Sequence, residues 1–413
     1  MTALPARPPR PTRVLVAGAG IAGLVAALDL AEAGLTVELL ETAPQAGGRC
    51  RSFDDPVTGH RLDNGTHVLL GANPAALDFV RRVGGRFREL PAIYPAVALD
   101  GPGGEVTGRH EIRLGSPMQL MRSLGLGAGD LLGLAGLLLD GRVNGPLGTA
   151  RPGLLSRKLG QAVLAPLVRA ALNIDPAAAD ARLVARMLRR LALAGPRGFR
   201  LHLAEGGLDA ALIAPSVARL RALGVRLHPT TPLDRLPPPD PDRMIVLALP
   251  PTAAHRLLPN ITVPRTSSAI LNIHYAPDQL PAGMPEALMV TGGMADWIFH
   301  RDGILSITTS AADALMDRPA EVLAATGWAE IRTCLAMAGL PAAMPPVRVV
   351  KEKRATMRHD PGGEALRPGP VDRTRPRPDV VLAGDWTATG LPATIEGAVV
   401  SGQRAAAAVL RRR

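Results

Sequence analysis

Residues Val14 to Arg51 read VLVAGAGIAGLVAALDLAEAGLTVELLETAPQAGGRCR, a strand, tight turn, helix, turn and second strand. An apolar run ends at Gly18, and Gly18, Gly20 and Gly23 then give G-x-G-x-x-G. The first glycine allows a sharp turn, the second a close backbone approach to a pyrophosphate, and the third close packing of helix on strand. The helix opening at Ile21 and Ala22 aims its first amides at the phosphates, with a favourable dipole. It is expected to run to about Ala33 and stop at Gly34. Glu41 closes the second strand, Val37 to Leu40, where a carboxylate accepts hydrogen bonds from an adenosine ribose and repels a 2′-phosphate. These features define a dinucleotide site and leave NAD and FAD both open.

The residues that follow decide between them. Gly47, Gly48 and Arg49 come soon after Glu41, and then Leu62-Asp63-Asn64-Gly65-Thr66-His67. A second segment lies near the C-terminus. It has a strand at Val380 to Leu382, then Ala383-Gly384-Asp385-Trp386, a turn through Gly390 to Thr394, and a helix from Ile395 to Leu410. Physically, Asp385 can take a ribitol hydroxyl. The helix start at Thr394 and Ile395 can place a positive dipole against the electron-rich edge of a reduced flavin. The E-x(5)-GGR pattern resembles the flavin amine oxidase and phytoene desaturase superfamily. That resemblance implies an α/β fold, a Rossmann-like FAD-binding domain with an interleaved α+β substrate domain. It implies FAD as cofactor, with Gly47, Gly48 and Arg49 around its phosphates and Gly65, Thr66 and His67 beside its ring. The chain at Leu233 would cover the adenine.

Within that superfamily, LDNGTHVLLG (Leu62 to Gly71) and AGDWTATGLPATIEGAVVSGQRAA (Ala383 to Ala406) are similar to the hydroxysqualene dehydroxylase family, as are EKRAT (Glu352 to Thr356) and ALN (Ala171 to Asn173). The family commonly has Gln where Thr66 stands and Thr-Pro where Ile174-Asp175 stands. The resemblance implies reductive removal of the allylic hydroxyl of hydroxysqualene, giving squalene for hopanoid synthesis. Other isoprenoid-pathway enzymes are then natural partners. The chemistry needs a proton donor near the flavin. His67 is the first candidate, or else it only hydrogen-bonds backbone or cofactor; Asp63 is the second, or else it fixes the turn. A carotenoid-type desaturase, a flavin amine oxidase and a non-catalytic flavin-binding membrane scaffold are the competing readings.

Composition narrows the remaining choices. The 413 residues suffice for two domains. With 3 Trp, 2 Tyr and 5 Phe, the substrate wall is expected to be aliphatic, a tunnel of Leu, Ala and Met drawn from 116–195 and 267–310 that suits an apolar isoprenoid. Two cysteines, Cys50 and Cys334, stand far apart and form no C-x-x-C pair, and the nine histidines show no metal-ligand spacing. The net charge of +11 is either a solvated, arginine-rich surface or a footprint for an anionic partner. No nucleic-acid motif accompanies it, so an anionic membrane is the favoured partner surface. The run Leu131 to Leu139, LLGLAGLLL, is too short to span a bilayer and reads as a buried core helix or as a monotopic membrane-dipping one. The arm at residues 1–11 reads as a flexible tail without the apolar core of a signal peptide. A cytoplasmic enzyme with peripheral contact at the inner face of the cell membrane is expected. The chain is expected to weave between an FAD-binding domain (12–75, 199–265, 355–413) and a substrate domain (76–198, 266–354). Short strands are expected at Leu233 to Leu236 and at Ser267 to Tyr275.

Overall fold

The computed structural model describes residues 11–113, 117–371 and 377–412; the N-terminal arm up to residue 10 lies outside them. A five-stranded parallel sheet has the spatial order Arg226–His228, Thr36–Leu40, Arg13–Ala17, Arg243–Leu247, Val380–Leu382. Strands from the two ends and the middle of the chain therefore share one layer. Parallel strands are buried on both faces, which is why RVLVA, RMIVL and VVL are almost continuous apolar runs.

The first helix, Ile21–Glu32, is buried nearly all round, because the last helix, Ile395–Leu410, crosses it. Glycine sets how close the two come: a Cβ on Gly402 would lie 2.5 Å from the carbonyl oxygen of Ala22. A Cβ on Gly23 would lie 1.8 Å from the oxygen of Gly18, so the third glycine of the motif is required by helix-on-turn packing alone.

A seven-stranded sheet forms the second layer system. Its order is Val347–Met357, Ser267–Tyr275, Ile304–Thr309, Trp297–Arg301, Ala287–Thr291, Ile93–Leu99, Val106–Arg113. One face, with Leu271, Ile273, Tyr275 and Ile307, packs on the helix Ala320–Leu335 through Leu323, Trp328 and Ile331. The opposite face carries Asn272, Trp297 and Phe299 by the two-residue alternation of a strand. Helices Pro117–Leu124, Ala128–Leu139, Ala165–Leu172 and Ala181–Ala194 make up a separate helical region. Its break falls at Asn173, whose φ of 52° is stabilised by three contacts. The Asn173 amide donates to Ser268 O at 3.1 Å and Thr356 Oγ1 at 3.0 Å, and its oxygen accepts from the Ala311 amide at 2.6 Å.

Two expectations are corrected, and two strands are new. Leu233 to Leu236 is not a strand: Pro232 and Pro237 remove backbone donors at both ends, and the segment runs as an extended loop. Ala287–Thr291 and Trp297–Arg301 are strands that the sequence pattern did not reveal. The Leu-rich helix is not a core helix. Of its residues only Asp130 and Leu137 are buried, while Leu132 is 72% and Leu139 83% exposed.

Candidate functional site

The glycine turn, the second strand and the GGR loop form one cradle. The Gly18 amide donates to Leu40 O at 2.8 Å, and the Gly47 amide to Ala19 O at 2.8 Å, so the turn is clamped between the strand end and the loop. Glu41 completes it: its Oε2 accepts from the Ala19 amide at 2.8 Å and its Oε1 from the Ala43 amide at 2.9 Å. The carboxylate is thus oriented before any ligand arrives, with lone pairs left on both oxygens. Gly20 is the N-cap of the first helix, has no side-chain cap, and a Cβ built on it meets nothing within 4 Å. It therefore faces open space at the amides of Ile21 and Ala22. An uncapped helix start beside an unfilled glycine fits the pyrophosphate of a dinucleotide. Leu233 lies two residues beyond Thr231, whose amide donates to Glu41 O at 2.8 Å, and packs with the cluster at the end of the sheet.

The C-terminal turn meets this cradle through Arg49, which donates to Asp385 Oδ2 at 2.7 Å and also bonds Ala355 O. Asp385, with its side chain 8% exposed, holds the Arg49 guanidinium above its ordinary pKa. Arg367 staples the turn from within. It is buried and donates to the carbonyls of Asp385 at 2.9 Å and Leu391 at 2.8 Å, as well as to Thr387 O and Thr389 Oγ1. His359 Nε2 accepts from the Ala393 amide at 2.8 Å, so its Nδ1 carries the hydrogen that goes to Glu364 at 2.6 Å. Thr394 caps the last helix by accepting from the Gly397 amide at 3.3 Å, and Ile395 is buried behind it. Glu396, next along, accepts from the Ala76 amide at 2.7 Å and from Arg190 at 2.7 Å. It thereby caps the helix that follows the second glycine turn.

Sequence reasoning missed Arg367, His359, Glu364 and Glu396. The signal for the first three was the run His359-Asp360-Pro361 with Glu364 and Arg367 at helical spacing, since Asp360 caps a short helix there by accepting from the Gly363 amide.

The second glycine turn sits between the cradle and the wide sheet. Asp63 is 2% exposed and accepts from Ser52 Oγ at 2.6 Å, the Leu208 amide at 2.9 Å and Arg301 at 2.8 Å. Desolvation would raise its pKa, but Arg301 and these hydrogen bonds outweigh it and hold the carboxyl below its ordinary value. Asp63 is a poor proton source and a strong tie for the turn. Gly65 abuts Asn272 of the sheet: a Cβ there would lie 2.6 Å from its Nδ2. His67 lies 2.8 Å from Gly65 O through Nδ1. A carbonyl only accepts, so Nδ1 carries the hydrogen and Nε2 holds the free lone pair. Desolvation, helped by the charge of Arg49, lowers the ring's pKa from its ordinary value against Gly65 and Asp63, which raise it. Beyond the turn, Tyr94, Trp297 and Phe299 gather, with Trp297 stacked on Phe299 at 5.7 Å. An adjoining patch contains Ala96, Ile112, Met289, Leu124 and Val163. The three rings share a buried cluster with Val68, Leu70, Leu201 and Leu203, the strand residues that follow and pair with the turn. Among the described residues no cluster of His, Cys, Asp and Glu could hold a metal ion.

Comparison with known proteins agrees with this geometry. Residues 16–83 match the NAD(P)-binding Rossmann-like domain, and residues 224–410 match the flavin containing amine oxidoreductase family. Solved structures share the fold at low identity. An oxidoreductase from Methanosarcina mazei superposes with a TM-score of 0.72 at 16% identity, covering 95% of this chain and 99% of that one. Cyclohexylamine oxidase from Brevibacterium oxydans superposes at 0.65 and 17%, covering 97% and 99%. The molecule is an oxidoreductase of the flavin amine oxidase superfamily, with a flavin cofactor. Hydroxysqualene dehydroxylase from Rhodopseudomonas palustris is 41% identical over 96% of this chain and 98% of its own length. The Sinorhizobium fredii protein of that name is 37% identical over 96% and 98%, and the Zymomonas mobilis one 32% over 95% and 97%. The chain belongs to the hydroxysqualene dehydroxylase family.

Two outcomes are expected. Gly20→Ala, which meets no atom in the protein, should leave thermal stability unchanged yet weaken flavin retention at least about tenfold, roughly 1.4 kcal/mol; absorbance after dialysis and a melting curve measure the two effects. For Asp63, a folded pKa below the unfolded one contributes stability above the unfolded value and loses it as pH falls through the folded value. Asp63→Asn should therefore cost about 3 kcal/mol at pH 7. The deficit relative to wild type should shrink below the ordinary carboxyl value of 3.8, as read by denaturant unfolding across pH.

Proposed function

We propose that the chain uses FAD to remove the allylic hydroxyl of hydroxysqualene reductively, yielding squalene. The observation that carries this reading is similarity over nearly the full length to relatives bearing that name. The site supports it. Gly18, Gly20 and Gly23, with the amides of Ile21 and Ala22, are suited to the pyrophosphate, and Gly47, Gly48 and Arg49 close over it. Glu41 is suited to the adenosine ribose, the backbone near Leu233 to the adenine, and Asp385 to a ribitol hydroxyl. Gly384, with its positive φ, lets the turn pass, and the helix start at Thr394 and Ile395 would offer its positive end to the pyrimidine edge of the ring. When bound and reduced, FAD supplies the hydride that replaces the hydroxyl.

The protein's share is binding, water exclusion and a proton. The mixed wall of Trp297, Phe299, Met289 and Ala96 keeps water from an allylic cation. His67 holds its Nε2 lone pair at the flavin turn, so a proton taken up there can pass to the leaving hydroxyl, which departs as water. Asp63 fixes the turn that carries His67.

The same reading places the protein against an anionic membrane, the reservoir of a C30 hydrocarbon. Leu132 and Leu139 lie on one stripe of their helix, and Leu193, 89% exposed, ends the neighbouring helix. Arg189 ties the two helices by donating to Leu138 O at 2.6 Å. Exposed Arg142, Arg157 and Lys158 lie in the same helical region. Apolar side chains of this kind beside cations suit an interfacial contact. Among the described residues no helix is long and apolar enough to cross a membrane.

Anaerobic mixing of the reduced protein with hydroxysqualene should give squalene and flavin reoxidation in equal amounts. Peroxide formation driven by an amine, without squalene, would overturn the reading in favour of an oxidase. Flotation should be stronger with anionic than with neutral vesicles and should fall at least about tenfold in Leu132→Ser/Leu139→Ser/Leu193→Ser. Equal flotation on both vesicle types would remove the electrostatic part.

A further inference from the structure

A small cavity of about 50 Å³ lies behind the second glycine turn, between the hairpin Ser52–Asp55/His60–Asp63 and the wide sheet. Its outer rim is formed by His60, Arg61 and Asp302, all exposed. Thr66, the neighbour of His67, lines it too, and so do His274 and Ser306. His274 is 3% exposed, and its Nδ1 lies 2.8 Å from Ser306 Oγ. Its Nε2 is buried and, among the described residues, has no hydrogen bond of good geometry, although the Asp63 backbone lies close enough to raise the ring's pKa. An orphaned buried nitrogen costs about 1–3 kcal/mol, so a partner at this position is strongly favoured.

Water is the partner that fits. The free volume holds a few molecules at about 10–15 Å³ each, and the walls are polar. An anion does not fit, because both cations are already neutralised: Arg301 pairs with Asp63 and Asp302, and Arg61 with Asp54 and Asp209. The other charges around His274 are Asp55 on the hairpin and Arg348 on the adjacent strand, and these two pair with each other. Burial pushes the His274 ring down to about 4, against Asp63, which would raise it. The ring therefore stays neutral at working pH. A neutral imidazole moves a proton by accepting at one nitrogen while releasing from the other.

We infer that this cavity is a water-filled proton inlet to the flavin turn, with His274 relaying protons through Ser306 and cavity water toward Thr66 and His67. The inference rests on the dehydroxylation reading. Exchanging a C–OH bond for a C–H bond takes one hydride from the reduced flavin and one proton from solvent and releases one water, so each turnover draws a proton inward. His67, the candidate donor at the flavin turn, needs that supply. His274 acts through other groups and is a positioning residue.

Two measurements test the inlet. In full-length protein labelled at histidine nitrogens, Nε2 of His274 should be hydrogen-bonded to exchanging water, with the ring neutral from about pH 5 to 8; a dry Nε2 would overturn the inlet. In single-turnover squalene formation, His274→Gln and Ser306→Ala should each slow the reaction about tenfold, with flavin absorbance and KM unchanged and a larger solvent deuterium isotope effect. Added imidazole should restore His274→Ala. Rates within twofold of wild type with an unaltered isotope effect would remove the relay role. If wild type itself makes no squalene, the dehydroxylation reading fails, and the nitrogen signal alone decides the inlet: water at Nε2 upholds it and a dry ring ends it.

Discussion

The hydrogen bond from Arg49 to Asp385 joins loops 336 residues apart. Everything site-like in the molecule depends on those loops meeting. Asp385 is nearly buried, and an unpaired carboxylate there would carry a heavy desolvation cost. Its backbone carbonyl is held by Arg367 on the other side. One residue thus pins the GGR loop, the turn of the last strand and the loop from Pro361 onward into a single frame. Gly20 and Gly47 bridge within the same frame, so the glycine-turn cradle and the C-terminal turn are parts of one object rather than two motifs that happen to coexist.

The polar frame and the apolar wall divide the work. The frame is built from backbone amides and oriented carboxylates that do not have to reorganise when a charged ligand arrives. The apolar side is built from Tyr94, Trp297 and Phe299 packed with Val68, Leu70, Leu201 and Leu203. The second glycine turn is the seam between them, and its geometry depends on Asp63 behind and Asn272 in front. A chain with so few rings places three of them side by side next to this seam.

What was legible in the sequence was local. The strand-turn-helix of Val14 to Arg51 could be read because each glycine serves a neighbour a few residues away: Gly23 packs on Gly18, and Glu41 reaches Ala19 and Ala43. The last helix and its start near Thr394 were equally plain. What could not be read was contact across the chain. Nothing around Asp63 announces Arg301, and nothing around His359 announces the Ala393 amide. Hydropathy alone also left Leu131 to Leu139 open between core and outer face, because an apolar segment looks the same whether its stripe meets a core or faces outward. The failed strand at Leu233 was a case of proline outweighing an apolar pattern.

The last helix has a consequence for biogenesis. Glu396 caps the helix Pro74–Arg82, and Val380–Leu382 is an edge of the same parallel layer that begins at Arg13. During synthesis, the nascent chain's first half therefore emerges from the ribosome without the pieces that complete its layer. The layer is complete only after Ile395–Leu410 has been translated, so a chain cut ahead of Val380 lacks both the edge strand and the Glu396 cap.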